Sequence, residues 1–581
     1  MYKKFLVFVF VGIVLAGCKK NLEPLDDNHR TLEDIYSDPY YAEGILMNAY
    51  TRLPTNGYSF SEVATDDAVT NDKFNPLLNM ATGSWSAANN PMDQWNNSFT
   101  AITYLNLFLK EVDSVNWSYL NSDVRVLFKD RLKGETYGLR GLFMLNLIQA
   151  HGGISSSGEL LGVPIFTEAV DPKSDFSRPR NTLEQSLTQI YSDLTEAEKY
   201  LPLDFKDVSA AQLPAKYSNM AVGDYNRVFG NFNRQRISGR IVKAVRARAA
   251  LLAASPAFNP QGMITKWEDA AKYAGELLDL NGGIGGLDPQ GGLFYTAGNV
   301  NNINLANGVD QKEMLWRGSI GTNNNLEQAN FPPTLYGNGR VNPSQNLVEA
   351  FPMANGYPIT DPLSGYDPAN PYSGRDPRLK NYILVNGGAI ANKTIFTKTD
   401  APTNDALNQL PTSTRTSYYL RKLLREDVNL NPSSTSVQKH YAVHMRYTEM
   451  FLIYAEAANE AWGPDGTGTQ GYSARSVIAA IRKRAGIAQP DAYLTAVMSK
   501  DDMRKLIHNE RRLELSFEGF RFWDLRRWKD NLTEPAKGVV IKNNTYSAQT
   551  VEKRQYSDFM NYGPIPLSEI LKTGLQQNKG W

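Results

Sequence analysis

The chain is 581 residues long and close to neutral, with 61 Lys and Arg against 60 Asp and Glu and a net charge of +1. This balance gives no electrostatic reason to expect a nucleic-acid partner, and the length allows a large buried core. Aromatic residues make up 11% of the chain, including 30 Tyr and 9 Trp, which can serve a core or a binding face.

The first residues have the pattern of an exported lipoprotein. An apolar run over residues 5–15 follows two lysines, and it is too short to cross a bilayer comfortably. The segment Leu15-Ala16-Gly17-Cys18 then resembles a bacterial lipobox, and it holds the only cysteine of the sequence. We predict a signal peptide over 1–17, lipid attachment at Cys18 and a flexible tether over 18–30. The alternative is an uncleaved membrane anchor.

Two groups of helices are predicted from apolar residues at 3.6-residue spacing. The first group covers 32–52 with a break at Pro39, 93–112, 124–151, 182–201, 237–255 and 267–280. The second group covers 445–462, 473–485 and the stretch 503–528. Neighbouring helices with small residues at their contacts look like degenerate tetratricopeptide pairs, which bury a face only by stacking. We therefore predict a mainly α fold, in which tetratricopeptide-like helix pairs form a scaffold for a loop-rich ligand-binding face with short strands.

The residues between the two helical groups predict the binding face. Residues 281–434 are rich in Gly, Asn and Pro and carry few helical patterns. Loops of that length in a compact domain usually carry function. We predict one domain over 31–581, with the helical scaffold at 31–280 and 435–581 and the binding region at 281–434.

The most strongly patterned stretch is 503–528, where an apolar helical face alternates with acids and arginines. Glu510, Glu514 and Glu518 stand one turn apart, with arginines between them. Paired carboxylates can cleave glycosides, but a neighbouring arginine lowers the pKa of an acid, the opposite of what a general acid needs. We therefore predict structural ion pairs, with Asp501 or Asp502 as the helix cap.

Several segments resemble the SusD/RagB family. The stretch NERRLELSFEGFRFWDLRRW is similar to that family's C-terminal signature, while GRIVKAVRARAALLAASP and RYTEMFLIYAEAANE resemble its middle and late helices and YGPIPLSEI its terminus. Members are outer-membrane lipoproteins that capture nutrients, mostly glycans, beside a TonB-dependent transporter. The resemblance implies a scaffold of four tetratricopeptide-like pairs and a ligand site of aromatic rings and a few polar groups in variable loops.

Candidate ligand-binding residues come from loops that combine aromatic rings with amides or arginines. A sugar ring offers an apolar C–H face to an exposed aromatic ring, and its hydroxyl groups bind polar side chains at the edges. On that basis the predicted ligand-binding residues are Trp85, Trp316, Tyr336, Arg340, Asn338, Tyr58 and Asn71. A core position for Trp85 stays open, and Trp95, Trp523 and Trp528 are assigned to the core because they lie on helical stripes of the family motifs.

No metal, cofactor or catalytic site is predicted. His440 and His444 stand four residues apart, but no acid follows His440 as a hydrolytic zinc motif requires. Asp361, Asp367 and Asp376 depart from the spacing of calcium loops, so we predict solvated acids in turns. The sequence contains no phosphate loop and no nucleophile elbow.

The predicted function is a non-catalytic lipoprotein of the outer membrane, held by its N-terminal lipid, that binds glycans at the cell surface and delivers them to a SusC-like TonB-dependent transporter. Shallow contacts at several points favour chains over single sugars. One alternative is uptake of a peptide or protein, since helical repeats commonly bind peptides. Another is a surface glycoside hydrolase, which needs a paired-acid cleft with one raised pKa.

Overall fold

A computed structural model describes residues 32–53, 58–170, 177–304, 309–400 and 402–581. The predicted signal peptide, the tether and the lipidation at Cys18 lie outside these residues. Within them, no helix is both long and apolar enough to span a membrane. The prediction of a mainly α fold is confirmed, because long helices carry the main core and each sheet in the described ranges has only two strands.

The helices of the first half include all those predicted there, with ends close to the predicted limits, and two short ones, at Pro76–Asn79 and Val222–Phe229, that were not predicted. They are α1 Leu32–Ser37, α2 Pro39–Tyr50, α3 Pro76–Asn79, α4 Trp95–Glu111, α5 Ser122–His151, α6 Leu183–Tyr200, α7 Val222–Phe229, α8 Gly239–Ala254 and α9 Ile264–Leu280. The predicted break at Pro39 separates α1 from α2, since proline at the first position of α2 has no N–H to continue α1.

Short helices interrupt the middle region, and long ones return after it. They are α10 Ala297–Asn301, α11 Asn325–Asn330, α12 Gln345–Ala350, α13 Pro377–Tyr382, α14 Tyr447–Trp462, α15 Ala474–Ala485, α16 Ala492–Ala496, α17 Lys500–Glu514, α18 Arg521–Trp528 and α19 Leu567–Thr573. The cap of α17 differs from its prediction, because Ser499, and neither Asp501 nor Asp502, accepts the capping hydrogen bond.

The strands are short and pair in antiparallel twos. They are β1 Ala68–Thr70, β2 Gly153–Ile154, β3 Leu160–Leu161, β4 Met314–Arg317, β5 Gly321–Asn323, β6 Val341–Pro343, β7 Ile383–Leu384, β8 Gly388–Ile390, β9 Lys393–Ile395, β10 Tyr419–Leu420, β11 Gln438–His440, β12 Val443–Arg446, β13 Ala536–Lys542 and β14 Thr545–Glu552. The pairs are β1 with β6, β2 with β3, β4 with β12, β5 with β11, β7 with β10, β8 with β9 and β13 with β14.

The long helices stack in a continuous series. In order of contact, α2 packs on α4, α4 on α5, α5 on α6, α6 on α8, α8 on α9, α9 on α14, and α14 on α15 and α17. Small residues allow the close approach of α5 to its neighbour: a Cβ at Gly134 would lie 2.6 Å from Leu201 Cγ, and one at Gly141 would lie 3.0 Å from Leu194 Cδ2. This series is the predicted scaffold of stacked pairs.

The middle region has a hydrophobic core of its own. It draws rings and aliphatic side chains from the loops and short helices between Phe294 and Tyr441, and it closes on the scaffold through Leu513 and Phe517. The hairpin β13–β14 was not predicted, since residues 435–581 were assigned to helical scaffold. One face of β13 is buried, since Val539 and Ile541 enter this second core, while β14 faces mostly outward. Alternation of this kind is typical of a strand and not of a helix.

A buried ion-pair network joins the middle region to the scaffold. Glu510 and Glu514 of α17 both accept from Arg378 Nη1 of α13, at 2.9 and 3.0 Å. Arg482 and Arg484 of α15 bind the same two acids, each at 2.8 Å. The prediction that these acids form structural ion pairs is confirmed.

Candidate functional site

Three loops meet at Asn71, and we call residues 71–75, 336–340 and 410–415 the Asn71 junction. The pairing of β1 with β6 places Thr70 opposite Val341, so Asn71 follows directly beside Arg340. Asn71 Nδ2 lies 2.9 Å from the carbonyl oxygens of both Asn338 and Gly339, and 3.3 Å from that of Ser413. One amide therefore ties three surface loops together.

Two aromatic rings of the junction are open to solvent. Phe74 is 91% exposed, in a turn where Asp72 Oδ1 accepts from its backbone N–H at 3.1 Å. Tyr336 is 57% exposed and has a φ of 63°, which costs a residue with a Cβ on the order of 1 kcal/mol. Exposed rings on neighbouring loops suit the apolar face of a ligand.

The loops that carry these rings also carry polar groups. Arg340 Nη1 donates to Asn71 Oδ1 at 3.2 Å, and within the described ranges the guanidinium has no carboxylate partner. Asn338 Nδ2 donates to the carbonyl oxygen of Gln328, which fixes its loop. The guanidinium therefore keeps donors available for hydroxyl or acidic groups of a ligand.

The structure brings some of the predicted site residues together, although whether they bind a ligand is untested by the geometry. Asn71 contacts Asn338 and Arg340, which share a loop with Tyr336, although Asn71 is far from that loop in the sequence. Phe74 was missed, and the signal for it was a lone aromatic residue within the polar turn Asn71-Asp72-Lys73-Phe74. Whether the junction binds a ligand stays a prediction.

Trp85 lies in a buried cluster, so its prediction as an exposed ligand-stacking ring is wrong. Only 6% of it is exposed, and its ring centroid lies 4.8 Å from that of Trp581 and 5.8 Å from that of Phe522. The guanidinium of Arg526 covers it at 4.9 Å, and the indole N–H donates to Asn90 Oδ1 at 2.9 Å. Residues from the end of the chain thus turn a loop tryptophan into a core residue.

Trp316 is also buried, in the main core, and its prediction as an exposed ring is wrong. It is 3% exposed on β4, and its N–H donates to the carbonyl oxygen of Gln235 at 3.0 Å. Its ring meets that of His444 edge to face, with centroids 4.9 Å apart. The strand pairing of β4 with β12 causes this burial, because it turns Trp316 toward the helices.

Tyr58 lies away from the junction, at an interior cavity between the helices and the C-terminal stretch. Burial, and next the negative charge of Glu518, raises the pKa of Tyr58 well above its usual range. The prediction that Trp95 and Trp528 belong to the core is confirmed, whereas Trp523 is only half-buried at the same cavity.

The buried acids do not have the arrangement of a glycosidase. Burial alone would raise the pKa of Glu514, but Arg484 and Arg378 outweigh it and hold the pKa at about 2. Burial does raise the pKa of Glu62 to about 7. Glu62 is 0% exposed and accepts from the backbone N–H of Gly519 at 2.7 Å, so a substrate has no access to it.

The residues weighed as metal ligands do not form a cluster in the part of the chain that the structure describes. His440 lies on β11 and bonds Glu327 through Nε2 at 3.0 Å, while His444 lies on β12, so the two do not share a helical face. Asp361 and Asp367 cap turns, as predicted. Asp376 is buried and paired with Arg378 at 2.6 Å, so its predicted contact with solvent is wrong.

The structure thus defines a class of protein: a stack of paired helices that carries a loop-built face with its own core. Two family models match separate parts of this chain. One is described as the SusD family and matches residues 302–581, and the other is described as starch-binding associating with outer membrane and matches residues 33–222.

Known proteins are similar over nearly the whole length. SusD-like protein P38 of Formosa agariphila is 23% identical over 546 residues, which are 90% of each chain. A SusD-like protein of Bacteroides fragilis has a crystal structure that superposes with a TM-score of 0.71 at 22% identity, covering 96% of this chain and 100% of that one. A SusD-like carbohydrate binding protein of the same species gives a TM-score of 0.67 at 21% identity, covering 92% and 98%. Together the two family models match most of the chain, and with these relatives they support a SusD-like family protein.

Proposed function

We propose that the protein is a non-catalytic, lipid-anchored glycan receptor of the outer membrane that passes its ligand to a TonB-dependent transporter. The observation that carries this proposal is the Asn71 junction, where the exposed rings of Phe74 and Tyr336 lie on loops tied to an arginine that has no acidic partner in the described part of the chain. Rings stack on the C–H faces of sugars, and amides and guanidinium groups bind hydroxyls.

The family supports the same proposal. One matching family model is described as starch-binding and associated with the outer membrane, and one similar solved structure is described as carbohydrate binding. Attachment at Cys18 rests on the lipobox-like segment, and delivery to a transporter rests on the family resemblance. The absence of an exposed acid pair in the described part of the stretch 503–528 favours binding over cleavage.

The test is affinity electrophoresis of the protein, expressed from its full sequence and extracted in detergent, in gels that contain one polysaccharide each. We expect one class of glycan to retard it. Tyr336→Ala and Phe74→Ala should each weaken retardation roughly fivefold, since one stacked ring contributes about 1 kcal/mol. A folded protein that no glycan retards, while a peptide mixture binds it, would instead favour the peptide alternative.

A further inference from the structure

An interior cavity lies on the side of the scaffold where α5, α8 and β12 meet the C-terminal stretch. Its volume is about 300 Å³, at the small end of the range of roughly 300–1,000 Å³ found for ligand sites. One wall is aliphatic and consists of Leu142, Leu145, Leu251 and Leu252. Aromatic side chains stand at other walls, and they are Tyr58, Phe520 and Trp523.

The charged groups at the cavity are paired within the protein. Arg248 binds both carboxylate oxygens of Glu449 at 2.7 and 2.6 Å. Arg446 binds Glu518 at 2.7 Å. Asp524 accepts from Arg511 and from Arg527, each at 2.8 Å. A charged ligand would therefore find its counter-ions already engaged.

Neutral polar groups at the cavity, in contrast, have unused hydrogen-bonding capacity. Asn146 and Gln149 lie one turn apart on α5, and the described structure gives neither side chain a partner. The same holds for the indole N–H of Trp523 and the imidazole of His444. Burial, together with Arg248, lowers the pKa of His444 to about 4, so its ring is neutral at neutral pH.

We infer that this cavity binds one neutral, hydroxyl-rich sugar ring, at a site separate from the Asn71 junction. The aliphatic wall and the aromatic rings suit the C–H face of such a ring, and the two amides of α5 suit its hydroxyl groups. The inference stands on the cavity and does not require the junction to bind glycan.

The test uses the full chain in detergent and isothermal titration with D-glucose, D-galactose, D-mannose and D-xylose, with D-glucuronate as the charged counterpart. The variants are Asn146→Leu and Gln149→Leu, which keep side-chain volume and remove the amides. Tyr336→Ala is the matched control at the other site. We expect at least one neutral sugar to bind, at least tenfold weaker binding in both leucine variants, and unchanged binding in the control.

Three results would overturn the inference: no neutral sugar binds, glucuronate binds as well as its neutral counterpart, or binding is lost in Tyr336→Ala instead. A crystal of the wild-type protein soaked with the sugar that binds best gives a test that does not depend on how well the variants fold. Density for a sugar ring in the cavity would support the inference, and separate waters there would refute it. Retention by polysaccharide gels tests the junction separately, since we expect Asn146→Leu to leave it unchanged.

Discussion

The buried network around α17 and the Asn71 junction use arginine in opposite ways. In the network, Arg378, Arg482 and Arg484 each meet at least one carboxylate, and none of the three is open to solvent. At the junction, Arg340 donates to an amide and has no carboxylate partner among the described residues, on a loop that also carries a solvent-exposed ring. The network therefore holds two regions of the fold together, while the junction keeps groups available for a ligand.

The helical scaffold could be predicted from the sequence more completely than the site. The stripe of α17 and the helix pairs follow from local periodicity and were predicted correctly. The buried acids of that helix are ion-paired as predicted, but with Arg378, Arg482 and Arg484 of other helices and not with the arginines of their own turns. These residues pack against each other and carry little information about a ligand.

The site was harder to predict because exposure depends on distant segments. Trp85 resembles a ligand-binding residue within its own loop, yet Arg526 and Trp581 cover it from the end of the chain. Asn71 and Arg340 meet only through the pairing of β1 with β6. No local spacing encodes that pairing. Phe74, in contrast, was missed although its own polar turn carried a signal for it.

The largest expected effect is a loss of stability from a change in the buried network around α17. Glu514→Gln removes the carboxylate that Arg378 and Arg484 share and leaves buried guanidinium groups without it. We expect the free energy of unfolding to fall by about 3–5 kcal/mol, measured by urea denaturation. The control is Glu569→Gln, which breaks an exposed pair with Lys572 and should cost less than about 1 kcal/mol. Equal losses in the two variants would show that the buried carboxylate of Glu514 contributes no more to stability than that of Glu569.

A comparable loss of stability is expected when Trp85, which is buried and not exposed as predicted, is replaced. Trp85→Ala leaves a cavity among Phe522, Tyr556 and Trp581 and should lower the free energy of unfolding by about 3–5 kcal/mol. Retention by a polysaccharide gel should stay unchanged at temperatures where the variant is folded. Lost retention in a variant of normal stability would restore Trp85 as a ligand-binding residue.

A smaller loss of stability is expected when the pH is lowered. His508 stacks on Trp528 with centroids 3.6 Å apart, and burial, partly opposed by Glu456, lowers the pKa of His508 from 6.5 to about 4. The unfolded chain takes up this proton near pH 6.5, so the stability due to His508 is complete above that pH and is lost as pH falls toward 4. The loss amounts to about 3 kcal/mol.

His508→Phe keeps a ring on Trp528 and removes the titrating group. Urea denaturation at pH 7, 5.5 and 4.5 should show a shallower loss of stability in this variant than in the wild type. Other groups supply the remaining slope, among them His444, whose pKa is lowered to about 4, and the buried carboxylates Glu456 and Glu514, whose pKa values are lowered to about 2. An unchanged slope in His508→Phe would show that His508 does not titrate as the structure indicates.

The most direct measurement of the central claim compares two double variants in the same polysaccharide gels. Phe74→Ala with Tyr336→Ala removes both exposed rings of the junction and should abolish retention while leaving the urea midpoint within the error of the wild type. Trp85→Phe with Trp316→Phe changes two buried rings and should lower the midpoint while keeping retention. The opposite pattern would contradict the account, because it would place ligand binding at the buried tryptophans and leave the Asn71 junction without a role.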